Sequence, residues 1–546
     1  MPTGYLRKGT LPTAVAIVSV AFFAAGYWGS RPAGGYRADD VWFVSDDGVR
    51  IHGRLYEPAA GLPARAPGVV VAHGYPGNLA VMEVPISLEL ARRGFAVLAM
   101  DYPGHGRSAG GIRARHPGEV QSLARSQPAV HAAIQILRAR PGVDPDRIGI
   151  VGHSEGAKAA AEAASADWRV WATVCIAGSG AHPYVSRWAP RNLLLVYGSD
   201  ERFVPRIDAV RLWERATGGA SFAAAEVSDD FAHGRARKLV LLSGRGHFGT
   251  LFDRTARAEV VAWLETALAG STTSPVTADP IGFGWIGLGI AGLLLGFVPL
   301  LAILDSLLGT RTATADLGRG SARLPGLAYR LAVFAGSVWA AVHWLETFRG
   351  AFGWLPVSGG DWYAAAFTAL GAAQLALLPL AARPATWRRM LRDCRSRFGR
   401  RWLAGVLVGA VCWLYVAAGL TALLSHSYYD LLLQSRRFAL MGLFACLVAP
   451  SFLLWQVWVE IVMRGDGRTP RLAMVAAVLL GTGVYAAVAP SYYPGIRIVT
   501  LAVVAACLGL ALLFAGPSGS RRTLVAPAVF QTLTAAWIVS ALSPFY

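Results

Sequence analysis

Two hydrophobic patterns divide the chain near residue 280. Before that point, apolar runs of a few residues alternate with longer stretches in which apolar positions recur at helical spacing. After it, apolar stretches of about 17–25 residues follow one another, the length a helix needs to cross a hydrocarbon layer.

In the first half, Val41 to Val44 and Val49 to Tyr56 predict a hairpin around Asp46-Asp47-Gly48. Six continuous apolar runs follow: Val69 to Ala72, Val97 to Met100, Ile148 to Val151, Thr173 to Ile176, Leu193 to Tyr197 and Leu239 to Leu242. A strand reads this way when helices cover both faces of its sheet, because neither set of alternating side chains meets water. The stretches Val81 to Arg93, Gly118 to Arg140, Glu155 to Ser165, Ile207 to Thr217 and Arg254 to Leu268 predict those helices. The expected fold class is therefore α/β, a mostly parallel sheet with helices on both faces. It is joined to an all-α domain of membrane-spanning length.

Eight spans are predicted in that second domain: Ile281 to Leu304, Leu327 to Trp344, Trp362 to Ala382, Trp402 to Leu424, Phe438 to Val462, Leu472 to Val488, Ile498 to Ala515 and Leu524 to Leu542. Trp and Tyr stand at many of their ends, as interfacial anchors do. Gly289, Gly292 and Gly296 give the first span a small-residue face for close helix contact. At the other terminus, Arg7 and Lys8 precede the apolar run Leu11 to Trp28, which reads as a signal peptide or a signal anchor. An uncleaved anchor is expected, since Phe23-Ala24-Ala25 is a poor cleavage site. The domains expected are residues 1–30 as anchor, 36–270 as the α/β domain and 281–546 as the polytopic membrane domain.

Composition agrees: 54% of residues are hydrophobic and 15% charged, against about 25% charged in soluble domains. This excludes a disordered chain. The net charge of +18 fits either nucleic acid or a membrane surface, and its distribution decides between them. With the N-terminus inside, the cytoplasmic segments carry Arg311, Arg319, Arg323, the cluster from Arg383 to Arg401, Arg464, Arg468, Arg471, Arg521 and Arg522. The short outer loops carry Arg349, Arg436, Arg437 and Arg497. The positive-inside rule then puts the α/β segment outside the cytoplasm, and nucleic acid is not expected as a partner. The five Cys form no CxxC pair, so neither a zinc site nor a disulfide framework is indicated, and no metal or cofactor is expected.

Candidate chemistry lies in Gly152-His153-Ser154-Glu155-Gly156, which follows a predicted strand and opens an Ala-rich helix. A nucleophile elbow needs that context: a tight turn with small flanking residues lifts the Ser hydroxyl above the sheet edge. A second match, Gly106-Arg107-Ser108-Ala109-Gly110, follows a turn and leads into a loop, so Ser108 is not expected to be a nucleophile. A Ser nucleophile needs a base and an orienting acid. The strand Leu193 to Tyr197 leads into Gly198-Ser199-Asp200-Glu201, and Leu239 to Leu242 leads into Gly246-His247-Phe248. Ser154, an acid at 200 or 201, and His247 thus arrive in order, each beyond a strand's carboxyl end, where open α/β sheets bind ligands.

With these motifs, and with His73-Gly74-Tyr75-Pro76-Gly77 and Asp101-Tyr102-Pro103-Gly104-His105-Gly106-Arg107-Ser108, residues 40–270 resemble the α/β-hydrolase superfamily. The similarity is to its dienelactone-hydrolase and prolyl-oligopeptidase-like serine hydrolases. The resemblance implies an acid three residues after the strand-end Gly and four before a Pro, which selects Glu201, with Asp200 the alternative. It also implies an oxyanion hole from the backbone N–H groups of Tyr75 and Glu155.

Other features have plainer readings. His73 and His105 are expected to hold loop geometry, and His52, His116, His131, His182 and His233 to be surface or loop residues. Cys175 reads as an inert core thiol. Only a small lid fits between Ile176 and Leu193, and Gly218 to Arg237 reads as a long loop bordering the site. In the membrane half, His343, Glu346, Arg349, Asp361, His426, Asp430, Arg436 and Arg437 read chiefly as solvated span ends, although a metal or headgroup site is conceivable. The function expected is a membrane-anchored serine hydrolase cleaving an ester, thioester or amide outside the cytoplasm, on a hydrophobic or acylated, lipidic substrate. The alternatives are a transporter or exporter with a fused cargo-processing hydrolase, a serine peptidase, and a catalytically dead sensor.

Overall fold

The computed structural model describes residues 7–112, 126–178, 182–222, 226–272, 282–308, 312–313, 327–381, 400–424, 431–463, 520–521 and 525–545. The chain divides into two compact units. One holds Tyr27–Ile286 with Leu423–Leu431 and Pro544–Tyr546; the other holds Met1–Gly26, Gly287–Ala422 and Leu432–Ser543.

The first unit is built on a nine-stranded sheet of order β1-β2-β4-β3-β5-β6-β7-β9-β8. The strands are β1 Tyr36–Val44, β2 Arg50–Pro58, β3 Ala66–Ala72, β4 Ala96–Met100, β5 Val143–His153, β6 Val170–Ile176, β7 Leu193–Gly198, β8 Glu226–Ser228 and β9 Arg237–Leu242. From β4 to β9 neighbours run parallel, while β1, β2 and β8 pair antiparallel at the two edges. The continuous apolar runs follow from the burial of both faces. Val69 and Val71 face one cluster with Val260, Val261 and Leu264 of α7 (Arg254–Leu264), and with Leu88 and Leu90 of α2 (Leu88–Arg92). Val70 and Ala72 face the opposite cluster, with Ala133 and Leu137 of α3 (Ser126–Ala139) and Ala160 of α4 (Glu155–Ala166). Trp213 of α5 (Arg206–Thr217) closes a further patch against Leu195 and Leu239.

Three segments differ from expectation. β5 begins at Val143, five residues before its apolar run, because Ala66 pairs with Val143 across an irregularity before the regular register resumes at Gly68 and Ile148. The described part of Gly218 to Arg237 is not all loop. It contains β8, paired to β9; Phe222 lies edge-on to Tyr197 at 6.4 Å and Phe231 lies 4.7 Å from Trp263. A short helix, α6 (His247–Phe252), follows β9 and was not expected.

The second unit is helical. Its elements are α1 (Arg7–Gly29), α8 (Phe283–Leu308), α9 (Leu327–Ala351), α10 (Gly360–Ala381), α11 (Arg400–Leu424), α12 (Ser435–Met463) and α13 (Val525–Leu542); ends of α1, α8 and α11 fall in the first unit. Among the described residues, five helices are long and apolar enough to cross a membrane: Phe283–Leu308, Gly360–Leu380, Trp402–Leu424, Ser435–Trp458 and Val525–Leu542. They support a membrane-associated protein. Thr13–Gly29 and Ala332–Leu345 are shorter apolar helices. The expected spans Leu472 to Val488 and Ile498 to Ala515 lie outside the described residues. Outward-facing Leu307, Leu375 and Leu403 are each more than 60% exposed, an apolar surface suited to lipid rather than water. Gly292 allows α8 to meet α1: a Cβ there would stand 2.5 Å from Phe23 N, and Ser19 Oγ donates to the Gly292 carbonyl at 2.8 Å. His343 donates from Nδ1 to the Trp339 carbonyl on its own helix at 3.0 Å.

Candidate active site

Four strand ends assemble the site. At the end of β5 the backbone turns sharply at Ser154, with φ 56° and ψ −116°, and α4 begins at the next residue. A non-glycine residue at positive φ is strained, and such strain persists only where its surroundings enforce it. Here they do. A Cβ at Gly152 would stand 2.0 Å from the Gly156 carbonyl oxygen, and one at Gly156 would stand 2.2 Å from that of Ala72. Both glycines are therefore required for β3, β5 and α4 to meet. Ser154 N–H donates to the Ile176 carbonyl at 2.8 Å, which fixes the turn to β6.

After β3, the turn His73-Gly74-Tyr75 passes over this elbow. A Cβ at Gly74 would lie 3.1 Å from Ser154 Cβ, so the Gly74–Tyr75 backbone borders Ser154. Glu155 opens α4, and its amide stands at the positive end of the helix dipole. His73 is fully buried. Its Nδ1 donates to the Gly74 carbonyl at 2.9 Å and its Nε2 accepts from Tyr102 N–H at 3.3 Å. Burial pushes its pKa down, so it is a neutral prop for the turn.

The loops after β7 and β9 cross closely. A Cβ at Gly198 would stand 2.0 Å from the Arg245 carbonyl oxygen. Asp200 N–H donates to that carbonyl at 3.0 Å, and Ser199 Oγ accepts from Gly244 N–H at 2.8 Å. This crossing brings His247 Nδ1 to 2.7 Å from Glu201 Oε2. The other Glu201 oxygen accepts from Phe203 N–H at 2.7 Å and Val204 N–H at 3.1 Å. Burial raises the Glu201 pKa, but the His247 hydrogen bond and charge and the two amides outweigh it, so the carboxyl ends below its ordinary value. Asp200 is exposed and accepts from Ser199 Oγ at 2.8 Å instead. Of the two candidate acids, Glu201 is the one joined to His247.

Sequence reasoning passed over three features of this region. His153, inside the elbow motif, is buried and donates from Nε2 to the His247 carbonyl at 3.2 Å. Burial and the neighbouring imidazole push its pKa down to about 3, so it stays neutral. Rings enclose His247: His153 at 4.9 Å, Phe203 at 5.1 Å and Phe248 at 5.3 Å. His52, expected at the surface, is buried, and its Nδ1 lies 2.8 Å from Asp101 Oδ2. The other Asp101 oxygen accepts from Leu79 N–H at 2.9 Å, and Oδ2 also accepts from Arg107 N–H at 3.0 Å. Forty-nine residues separate His52 from Asp101, and only the antiparallel pairing of β2 with β4 brings them together, so no sequence spacing signals it. His116 lies outside the described residues, and His131 and His233 form exposed pairs with Asp46 and Asp230.

Residues 64–245 match the family model described as serine aminopeptidase, S33. The uncharacterized protein YfhR of Escherichia coli strain K12 is 27% identical over 206 residues, 33% of this chain and 69% of that protein. Thiohydrolase aneE of Aspergillus aculeatus is 33% identical over 132 residues, but these span 24% of this chain and 38% of that protein. Among solved structures, the esterase Pf2001 of Pyrococcus furiosus is 17% identical, with a TM-score of 0.34 over 44% of this chain and 98% of its own.

Proposed function

From the premise that residues 64–245 are those of an α/β hydrolase, we propose that the chain is a membrane-held serine hydrolase acting on a carboxylic ester outside the cytoplasm. Ser154 is the nucleophile, His247 the base and Glu201 its orienting acid; the Tyr75 and Glu155 amides receive the oxyanion. Ser154 Oγ attacks the carbonyl carbon and its proton passes to His247 Nε2. The tetrahedral oxyanion collapses, the bond to the leaving oxygen breaks, and His247 returns the proton to that oxygen. Water, deprotonated by the same imidazole, then hydrolyses the acyl-enzyme. Glu201 holds the imidazole in the tautomer with its proton on Nδ1 and stabilises the imidazolium that forms.

Two observations carry this reading: the 2.7 Å bond between His247 Nδ1 and Glu201 Oε2, and a serine strained at a strand–helix turn. Membrane attachment is supported by the five long apolar helices, and the outward placement of the hydrolase by the Arg asymmetry of the short loops. One curated relative is named a thiohydrolase, so a thioester is the second bond to assay. The test measures hydrolysis of p-nitrophenyl acetate and of an acetyl thioester by the full chain in nanodiscs. Both should be cleaved by the wild type, with turnover lost on the order of 10³-fold or more in Ser154→Ala. Turnover retained in that variant would overturn the proposal. For sidedness, an alkaline phosphatase fusion after Pro280 should be active and one at Arg395 inactive; the reverse pattern would return the hydrolase to the cytoplasm.

A further inference from the structure

Resting on that reading of the site, the structure has one feature that the triad does not use. His247 is buried, its side chain 6% exposed, yet the residue that follows it is an apolar ring standing half in water. Phe248 is 52% exposed. It packs edge-on against Phe203 at 5.8 Å and lies 6.3 Å from His153. Phe252, one helical turn further along α6, lies on the same face. It meets Phe283 edge-on at 5.3 Å, and Phe283 is 51% exposed. An apolar strip thus runs from the imidazole to the first residue of α8 within one unit. Half-exposed aromatic surface such as that of Phe248 costs free energy in water, which is recovered when an apolar group covers it.

The chemistry says which part of a substrate that would be. The acyl carbonyl must stand at the Tyr75 and Glu155 amides, beside the His73 turn and the start of α4. The leaving atom must come within hydrogen-bond reach of His247 Nε2, because it takes its proton there. Groups attached to the leaving atom therefore extend along the rings that surround His247, on the α6 side. We infer that Phe203, Phe248, Phe252 and Phe283 form a track for the leaving group, so that the enzyme selects esters by an apolar alcohol portion rather than by an apolar acyl portion. A long-chain alcohol ester, or a lipid whose larger apolar part departs as the alcohol, is the substrate class that fits.

Two isomeric esters separate the alternatives, because hexyl acetate and ethyl hexanoate have the same atoms and similar apolarity, with the long chain on opposite sides of the scissile bond. The full chain in nanodiscs should give a higher kcat/KM for hexyl acetate. Phe248→Ser should lower the ratio of the two kcat/KM values about tenfold, the scale on which apolar contacts discriminate substrates, and Phe248→Leu should restore most of it. Phe252→Ser should lower the ratio less. If Phe248→Ser hydrolyses neither ester, the ratio in Phe252→Ser decides the matter. A wild-type preference for ethyl hexanoate, or an unchanged ratio in the serine variants, would overturn the track. Hexanol release that persists in Ser154→Ala would instead overturn the assignment of the nucleophile, so the two failures are distinguishable.

Discussion

Two stretches of this chain share the pattern G-x-S-x-G, and they fold into opposite things. At Gly152–Gly156 the serine sits on a strained turn between a strand and a helix, partly exposed. At Gly106–Gly110 the serine is fully buried. Ser108 Oγ donates to the Asp101 carbonyl at 2.7 Å and accepts from His52 N–H at 2.9 Å. The glycines differ as sharply. Gly152 and Gly156 are crowded by backbone of neighbouring elements, whereas a Cβ at Gly106 would meet the Asp101 carboxylate at 2.3 Å and one at Gly110 the Val49 side chain at 2.9 Å. One motif holds its serine on a strained, partly exposed turn. The other wraps a loop around a buried carboxylate, with Ser108 as a staple. The pattern of residues is common to both, and the preceding strand distinguishes them.

The largest effect that sharpens this contrast belongs to Glu201. Glu201→Gln should cost on the order of 10⁴-fold in turnover, since the imidazole would lose both its tautomer control and its counter-charge. Steady-state hydrolysis by the full chain in nanodiscs measures it. A loss under tenfold would separate Glu201 from the chemistry.

Next comes the elbow itself. Gly156→Ala places a methyl 2.2 Å from a backbone oxygen, where no flexible side chain can move aside. The expected cost is on the order of 3 kcal/mol or more of stability, read as a drop in the thermal unfolding midpoint in detergent. A midpoint unchanged from the wild type would mean that the elbow is not as tightly closed as described.

The buried loop gives a smaller and pH-dependent effect. Burial raises the Asp101 pKa, but the hydrogen bonds from His52 and from the Arg107 amide more than offset it, leaving it at about 2 against an ordinary 3.8. A carboxyl whose pKa is depressed on folding stabilises the fold above its unfolded pKa and loses that contribution as pH falls through the folded one. The Asp101 contribution, about 2–3 kcal/mol for a shift of roughly two pKa units, should be full above about pH 4 and fade toward pH 2. Asp101→Asn should destabilise by about 2–4 kcal/mol and flatten the acid limb of the unfolding profile. An unaltered acid limb would contradict the role given to this carboxylate. Smallest of all, Asp200→Asn should change turnover by less than about twofold, the usual scale of surface substitutions; a large loss would reverse the ranking of the two acids.

Much of this was legible in the sequence, for identifiable reasons. Buried parallel strands must be apolar on both faces, so Val69 to Ala72, Ile148 to Val151 and Leu193 to Tyr197 announced themselves as unbroken runs. Ser154 and His247 stood out as candidates because each follows such a run. Glu201 needed the additional spacing implied by family resemblance, since Asp200 beside it is chemically equivalent until the loop crossing at Arg245 turns one of them toward the imidazole. What escaped notice lacked a local signal. β8 is three residues at a sheet edge with no apolar run. α6 is six residues long and begins at His247 itself. The His52–Asp101 pair exists only through strand pairing, and the ring enclosure of His247 exists only once the β7 and β9 loops have crossed.

The most direct measurement of the central claim compares the two serines themselves. Membranes holding the full chain, Ser154→Ala or Ser108→Ala are treated with a fluorophosphonate probe, which reacts covalently with an activated serine. Labelling should be absent in Ser154→Ala. In Ser108→Ala it should persist on whatever fraction of the chain folds. Labelling that survives Ser154→Ala, or that disappears only in Ser108→Ala at equal amounts of folded chain, would contradict the account.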